Sequence, residues 1–256
     1  MLTSTEGVIL HSLNYSDSSK IITMYSKDFG KIKFLVKGAR SNKNKFGSSL
    51  EPLTFSRAHF YKKNDRTLHL VSKCELIKPA TSLMKNFEQL SFAFAVIEIV
   101  KLVFEDEEKN EEIYKLVSDA LNCISKSKDN FIVIYFLFLI KLLKFSGFEL
   151  NLENCKFCNK RNSEVVEEIF VNITNGNVFC KICHNKTKHG EVKISTKTKI
   201  GLFEINNSDF SKISEINLST ETKNEIYSFL NRFGMFHLHG LKSLRSLKFL
   251  EMYNQN

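Results

Sequence analysis

Hydrophobic and polar positions along the first 80 residues alternate in short runs rich in β-branched and aromatic side chains. Clusters of Asp, Asn, Gly and Ser separate the runs, and Asp28-Phe29-Gly30-Lys31 is typical of a hairpin turn. The pattern predicts five strands, over residues 7–11, 20–25, 31–37, 53–61 and 67–76. So many short strands in this length indicate a small closed barrel, either an OB-fold or an SH3-like barrel.

Apolar positions recur at helical spacing between residues 82 and 148, beginning with Leu83, Phe87 and Leu90. This spacing predicts a helical bundle of at least three helices. The acidic run at residues 105–108 is expected to be a solvent-exposed connection between two of them. Helical patterning returns over residues 197–252, so the expected fold class is α+β.

Two CxxC pairs interrupt the helical pattern, Cys155-Lys156-Phe157-Cys158 and Cys180-Lys181-Ile182-Cys183. Each pair can place two thiolates on one face of a tight turn, and two such turns complete a tetrahedral site. The segment between them predicts a hairpin that brings the second pair back to the first. We therefore expect one structural Zn²⁺ ion with four thiolate ligands, which leaves no open position for a hydrolytic water.

Other interpretations of the cysteines are a redox dithiol, two disulfides or coincidence. A redox dithiol of the thioredoxin type needs a βαβ context, which the sequence pattern lacks. His184 or His189 could replace one thiolate as a ligand. Cys74 and Cys123 lie within apolar strand and helix patterns and are predicted to be small core residues.

Composition and charge narrow the function classes. The formal net charge is +9, and residues 1–80 hold 14 Lys and Arg against 6 Asp and Glu. The positive electrostatic field of such a segment attracts polyanions, although the excess charge can also serve solubility alone. Residues 1–9 do not have the pattern of a signal peptide, and the most apolar stretch, residues 131–140, is too short to cross a bilayer. We expect a cytoplasmic protein with reduced thiols and no membrane association.

The third predicted strand and the loop after it are basic. Lys31 and Lys33 should share one face of the strand, with Ile32 and Phe34 on the other. One interpretation is an edge strand that its lysines protect from aggregation. The other is a flexible cationic loop that contacts a phosphate backbone. On the second interpretation, the expected DNA-binding residues are Lys31, Lys33, Lys37, Arg40, Lys43 and Lys45.

Aromatic residues near this basic segment could stack on bases, although most of them are expected in the barrel core. The candidates are Phe34, Phe46, Phe55, Phe60 and Tyr61. A second basic patch near the cysteines is either a solvated surface or a further DNA contact. It comprises Lys181, Lys186, Lys188 and Lys193.

The chain resembles the RecO family of bacterial recombination mediators over essentially its full length. The N-terminal motifs are Glu6-Gly7-Val8-Ile9-Leu10, residues 15–22, Phe29-Gly30-Lys31, Lys37-Gly38-Ala39-Arg40 and Leu50-Glu51-Pro52-Leu53. Downstream, Gly147-Phe148-Glu149-Leu150 leads into the first CxxC pair and Gly176-Asn177-Val178-Phe179 into the second. A weaker match is the segment over residues 236–244.

The resemblance implies an N-terminal OB-fold β-barrel, a helical domain and a zinc-ribbon-like insert with four cysteine ligands. The expected boundaries are 1–80 for the OB-fold, 81–150 for the first helical part, 151–195 for the zinc element and 196–256 for the remaining helices. Only Lys37, Arg40, Lys43 and Lys45 align with the family's DNA-contacting surface. Residues 41–45 replace the family's usual small or basic residues, and the positive charge persists.

The function implied by the resemblance is non-enzymatic DNA repair and recombination in the bacterial cytoplasm, in association with the nucleoid. It includes binding of single- and double-stranded DNA and annealing of complementary strands. The implied partners are RecR, single-stranded-DNA-binding protein and, indirectly, RecA during its loading. The rival hypothesis is an RNA- or ribosome-associated zinc protein. An enzyme is disfavoured, because the sequence has no phosphate-binding glycine loop, HExxH motif or nucleophile elbow.

Overall fold

The computed structural model describes residues 1–41, 45–63, 66–161, 168–187 and 191–246. The chain forms two compact units, one containing Met1–Lys126 with Ser243–Asn256 and the other containing Ser127–Lys242. The domain boundaries expected at residues 80, 150 and 195 stay predictions.

The five predicted strands are present and close into a barrel in the first unit. Neighbouring strands follow the order β1-β2-β3-β5-β4, and β4 pairs back with β1. The pairing of β3 with β5 is parallel and the others are antiparallel. This arrangement agrees with the predicted OB-fold. The strands are β1 Leu2–Tyr15, β2 Ser19–Ser26, β3 Gly30–Val36, β4 Phe55–Tyr61 and β5 Leu68–Lys78.

Strict alternation on β3 shows why these residues form a closed barrel. Ile32, Phe34 and Val36 are fully buried, whereas Lys31 and Lys33 lie on the outer face, as the sequence predicted. The ring of Phe34 meets the buried ring of Phe60 edge-on, with 4.8 Å between their centroids. Two apolar layers therefore meet inside the barrel, where burial of aromatic rings stabilises the closed sheet.

Two helices complete the described part of the first unit. Helix α1 spans Phe87–Val103, and its N-cap Asn86 accepts a hydrogen bond from the backbone N–H of Gln89. Helix α2 spans Glu111–Lys126 and buries one apolar stripe against α1 and the turn before it.

The second unit combines four helices with a small sheet among its described residues. Helix α3, Phe131–Phe145, is apolar and buried around most of its circumference. The sheet has the order β7-β6-β8, with β6 Ile169–Asn172, β7 Val178–Cys180 and β8 Glu191–Ile194. The remaining helices are α4 Lys181–Thr187, α5 Thr196–Asn206 and α6 Thr220–His237. The predicted helical segments on both sides of the cysteine pairs are thus confirmed.

No helix within the described ranges combines the length and the apolar character that a membrane crossing requires.

Candidate metal and nucleic-acid sites

The two CxxC pairs come together as predicted. The Sγ atoms of Cys155, Cys158, Cys180 and Cys183 all lie within 4.8 Å of one another. The Sγ atoms of Cys158 and Cys180 are 3.9 Å apart. Tetrahedral zinc–thiolate bonds of about 2.3 Å would separate the sulfurs by about 3.8 Å. No disulfide joins any of these four described cysteines, so the disulfide interpretation fails, and the cluster fits one metal ion.

Local hydrogen bonds shape the turn that holds the first pair. The backbone N–H of Asn159 donates to the carbonyl of Cys155 at 2.9 Å, and Asn159 adopts a left-handed φ of 57°. The backbone N–H of Cys155 donates to the carbonyl of Lys160, which closes the turn. For the second pair, Cys180 ends β7 and Cys183 lies in the first turn of α4. The predicted hairpin is therefore β6 and β7, which pair antiparallel.

The thiols experience opposite electrostatic environments. Burial raises the pKa of Cys155, but N–H groups of Cys158, Cys180 and Phe157 outweigh it and lower that pKa to about 6. Burial and the neighbouring thiols together raise the pKa of Cys183 to about 12. Four thiolates so close together repel one another, and a divalent cation offsets this repulsion when it replaces their protons.

His184 has a different role from the one considered for it. Its ring stacks on Phe170, with 3.7 Å between the centroids and 3° between the planes. Its Nδ1 lies 3.0 Å from a carboxylate oxygen of Glu191. The candidate cluster consists of the cysteines alone, while His189 lies outside the described residues. Cys74 is buried, as predicted, and Cys123 is half-buried; neither belongs to the cluster.

Lys31 and Lys33 on the barrel are ion-paired within the first unit. The Nζ atoms of Lys31 and Lys33 lie 3.3 Å and 2.6 Å from the carboxylate oxygens of Asp106. Lys31 also donates to the backbone carbonyl of Lys101 at 3.0 Å. Their role as DNA contacts stays a prediction, but both cations already have a carboxylate partner.

The acidic connection, residues 105–108, packs on the barrel at Asp106 and Glu107. The expectation that it is solvent-exposed is wrong for these two residues, which are half-buried. The backbone N–H of Glu107 donates to the carbonyl of Lys31 at 2.6 Å. A side chain at Gly30 would collide with the carbonyl oxygen of Glu108, so this close approach requires glycine.

Glu107 also contacts two barrel side chains, His69 and Lys62. One carboxylate oxygen lies 2.9 Å from Nε2 of His69, whose side chain is fully buried, and the other lies 3.4 Å from Nζ of Lys62. Partial burial works against ionisation of Glu107, but hydrogen bonds from His69 and Lys62 outweigh it and lower its pKa. The connection therefore carries a fixed negative charge against this side of the barrel.

A basic groove lies between the ends of β3, β4 and β5, and His69 is among the residues that line it. Its volume is about 700 Å³. The lining includes three exposed cations, Lys37, Lys63 and Arg66, together with Tyr61, whose surface is 47% exposed. Of these, the sequence analysis singled out only Lys37 and Tyr61. We call these four residues the barrel groove.

The remaining predicted DNA contacts follow β3. Arg40 is exposed, and its guanidinium donates to the backbone carbonyl of Ser16 in the β1–β2 loop at 3.1 Å. Lys45 is exposed, while Lys43 lies outside the described residues. The other candidate aromatics are unsuited to stacking, because Phe34, Phe55 and Phe60 are buried and Phe46 packs against the core.

The second basic patch is partly neutralised. Lys193 lies 2.7 Å and Lys181 3.8 Å from the two carboxylate oxygens of Glu168. Lys188 and the side chain of Lys186 are outside the described part of the chain. The patch as predicted therefore has weaker support than the barrel groove.

The fold and sites define an OB-barrel protein with a basic groove. In the same chain, the barrel is joined to helices and to a four-cysteine cluster that could hold a metal ion. Comparison with known families agrees with this class. The family described as "Recombination protein O N terminal" matches residues 1–80, and "Recombination protein O C terminal" matches residues 84–246. The chain belongs to the RecO family of DNA repair proteins, which confirms the resemblance seen in the sequence.

Two individual relatives match all or nearly all of the chain. The chain is 27% identical to the DNA repair protein RecO of Chloroherpeton thalassium, over 100% of this chain and 99% of the relative. It is 29% identical to that of Syntrophus aciditrophicus, over 96% and 94% of the two chains. A shorter match, with 31% identity, links it to the RecO of Chlorobaculum parvum over 66% of this chain and 65% of the relative.

Proposed function

We propose that this protein is a recombination mediator that binds single- and double-stranded DNA through the barrel groove and anneals complementary strands. It acts without covalent catalysis and helps to load RecA onto protein-coated single strands. Its proposed partners are RecR and single-stranded-DNA-binding protein. The observation that carries the DNA-binding part is the groove itself, which three exposed cations and an exposed tyrosine line.

The position of the groove on the barrel suits a nucleic acid. Lys63 and Arg66 lie in the β4–β5 connection, and Arg40 contacts the β1–β2 loop. OB-folds bind oligonucleotides with these two loops and the face of strands 2 and 3. A DNA strand would therefore meet cations at several points along its backbone, with Tyr61 in reach of a base.

The charges favour binding that does not depend on the base sequence of the DNA. Lys37, Lys63 and Arg66 can neutralise phosphates, and neutralisation releases counterions at any base sequence. Tyr61 can stack on any base, because every base has a flat π-face. Binding by phosphate contacts and stacking is what an annealing protein needs, since it must accept any pair of complementary strands.

Within this proposal the cysteine cluster holds one structural Zn²⁺ ion. All four ligand positions of a tetrahedral ion would be filled by Cys155, Cys158, Cys180 and Cys183. Bound zinc would cross-link the two CxxC turns, and no ligand position would remain for a reacting water.

Charge reversal in the groove tests the DNA-binding part. We expect Lys37→Glu with Arg66→Glu to weaken binding of single-stranded DNA about tenfold or more, because each change turns a phosphate contact into repulsion. Fluorescence anisotropy with a labelled oligonucleotide measures this affinity. The matched control is Lys27→Glu with Lys73→Glu, which reverses two exposed barrel lysines outside the groove. Equal losses in both variants would contradict a groove-specific contact.

Two further assays test annealing and the choice of nucleic acid. Wild-type protein should accelerate annealing of complementary strands, including strands coated with single-stranded-DNA-binding protein, and the groove variant should not. A preference for RNA over DNA of equal length, without annealing, would instead support an RNA-associated protein.

A further inference from the structure

The two CxxC turns expose large apolar side chains at equivalent positions. Phe157 is 66% exposed and Ile182 is 69% exposed. Apart from Met1, they are the most exposed large apolar side chains among the residues that the structure describes. Each is the third residue of its CxxC sequence, and each follows an exposed lysine, Lys156 or Lys181. Since apolar exposure is unfavourable, this repeated arrangement indicates a contact surface.

Within the described turn that carries Phe157, residues 154–161, the charged side chains are all cations. Lys156, Lys160 and Arg161 are exposed within the same short turn. Among the described residues, no carboxylate forms an ion pair with these three side chains, whereas Lys181 has Glu168 at 3.8 Å. We call Lys156, Phe157, Lys160, Arg161 and Ile182 the knuckle surface.

The turn that carries this surface is well ordered by its own backbone. Asn154 and Arg161 pair as an antiparallel bridge, and the N–H of Lys156 donates to the carbonyl of Val178 on β7. Convergence of the four sulfurs within 4.8 Å places the second turn beside the first. An aromatic ring thus lies on a turn that is already ordered, among exposed cations. Binding would therefore cost this turn little conformational entropy.

We propose that the knuckle surface binds a second single strand of nucleic acid, with a base stacked on Phe157 and phosphates at Lys156, Lys160 and Arg161. This inference rests on the proposed annealing function, because annealing requires two polyanionic strands to be neutralised and held close together, which two sites on one chain would achieve. An aromatic ring among exposed cations matches the stacking and electrostatic contacts of single-strand binding sites. An acidic peptide would use the cations but gives no specific role to a flat exposed ring.

A tryptophan reporter tests the contact directly. The chain contains no tryptophan, so Phe157→Trp introduces a single fluorophore at the proposed stacking position. Saturable quenching of its emission by a single-stranded oligonucleotide is the expected result. The matched control is Phe236→Trp, at a 52% exposed position of the same unit. Absence of quenching at residue 157, or equal quenching at both positions, would overturn the inference.

Stoichiometry separates this inference from the proposed function. A short oligo-dT of about 8 nucleotides, within the site size of a single OB barrel, should bind wild-type protein at two sites. Phe157→Ala with Ile182→Ala should retain one site and anneal about tenfold more slowly. Phe157→Tyr, which keeps the ring, should behave as wild type, and bound metal should stay at the wild-type level in each variant. The control Ile200→Ala with Phe236→Ala removes similarly exposed apolar groups elsewhere in the unit.

The possible outcomes are distinguishable. One site in wild-type protein, with unchanged annealing by the knuckle variant, would overturn this inference and leave the barrel groove intact. The same result would follow if the knuckle surface contacts a protein instead. Failure of wild-type protein to bind or anneal DNA would contradict the proposed function itself.

Discussion

The barrel and the cysteine element, which comprises both CxxC pairs with β6, β7 and α4, are stabilised by different means. The barrel closes its hydrogen-bonded ladder on itself and encloses a core that includes Ile9, Phe34 and Phe60. The buried cluster at the CxxC pairs consists of Cys155, Cys180 and Cys183. The strands of the small sheet bury Ile169, Val171 and Val178, but the two CxxC turns are short and meet at the sulfur cluster. We therefore expect these turns to depend on a metal cross-link, whereas the closed barrel does not. The two regions should therefore respond to different perturbations.

Loss of the metal ligands should have the largest effect. We expect Cys155→Ser with Cys158→Ser to abolish metal binding and unfold the cysteine element, because structural zinc contributes on the order of 10 kcal/mol in small zinc domains. Amide hydrogen exchange should accelerate in β6 and β7 but not in β1–β5. The control Cys123→Ser should retain the metal. Slow exchange in β6 and β7 of metal-free protein would show that the element is stable without an ion.

A cavity in the barrel core should produce the reverse pattern. Phe60→Ala removes a fully buried ring that packs on Phe29, Phe34 and His69. The expected loss is about 3–5 kcal/mol of the free energy of unfolding of the barrel, with metal content unchanged. Denaturant unfolding monitored by exchange in β1–β5 measures it. The adjacent Tyr61→Ala, at an exposed position, should cost far less, and equal losses would contradict the core assignment.

The acidic connection should give a smaller, pH-dependent effect. Partial burial works against ionisation of Asp106, but hydrogen bonds from Lys33 and Lys31 outweigh it and lower its pKa below 3.8. Its contribution to stability is therefore complete above about pH 4 and is lost as the pH falls through the lowered pKa. Asp106→Asn should remove up to about 1 kcal/mol near neutral pH. The variant's free energy of unfolding should also depend less on pH in the acid range. An unchanged pH dependence would argue against these ion pairs.

These regions also differ in how far the sequence predicts them. The cysteine site could be identified because each pair is local and its spacing alone specifies two turns. The barrel strands could be identified from alternation. The pairing of Lys33 with Asp106 could not, because 73 residues separate the partners and only the closed fold brings them together. Likewise, Lys63 and Arg66 have no motif, and they join Lys37 only through the parallel pairing of β3 with β5.

The comparison also changes the weight given to each lysine. The alternation pattern places Lys31, Lys33 and Lys37 together in one basic strand, and only the family resemblance singles out Lys37. In the folded barrel, the first two pair with Asp106, while Lys37 lines the groove. We therefore assign Lys31 and Lys33 to holding the acidic connection, and we assign Lys37 to DNA binding.

The salt dependence of single-stranded DNA binding tests the central claim most directly. The logarithm of the binding constant should fall linearly with the logarithm of salt concentration, with a slope that changes by about 0.7 for each phosphate contact removed. Replacing Lys37 and Arg66 by Gln should make the slope about 1.4 less negative, whereas Lys33→Gln should change it little. Two results would contradict DNA binding in the barrel groove. In the first, Lys33→Gln changes the slope as much as the groove variant does; in the second, neither variant changes the slope.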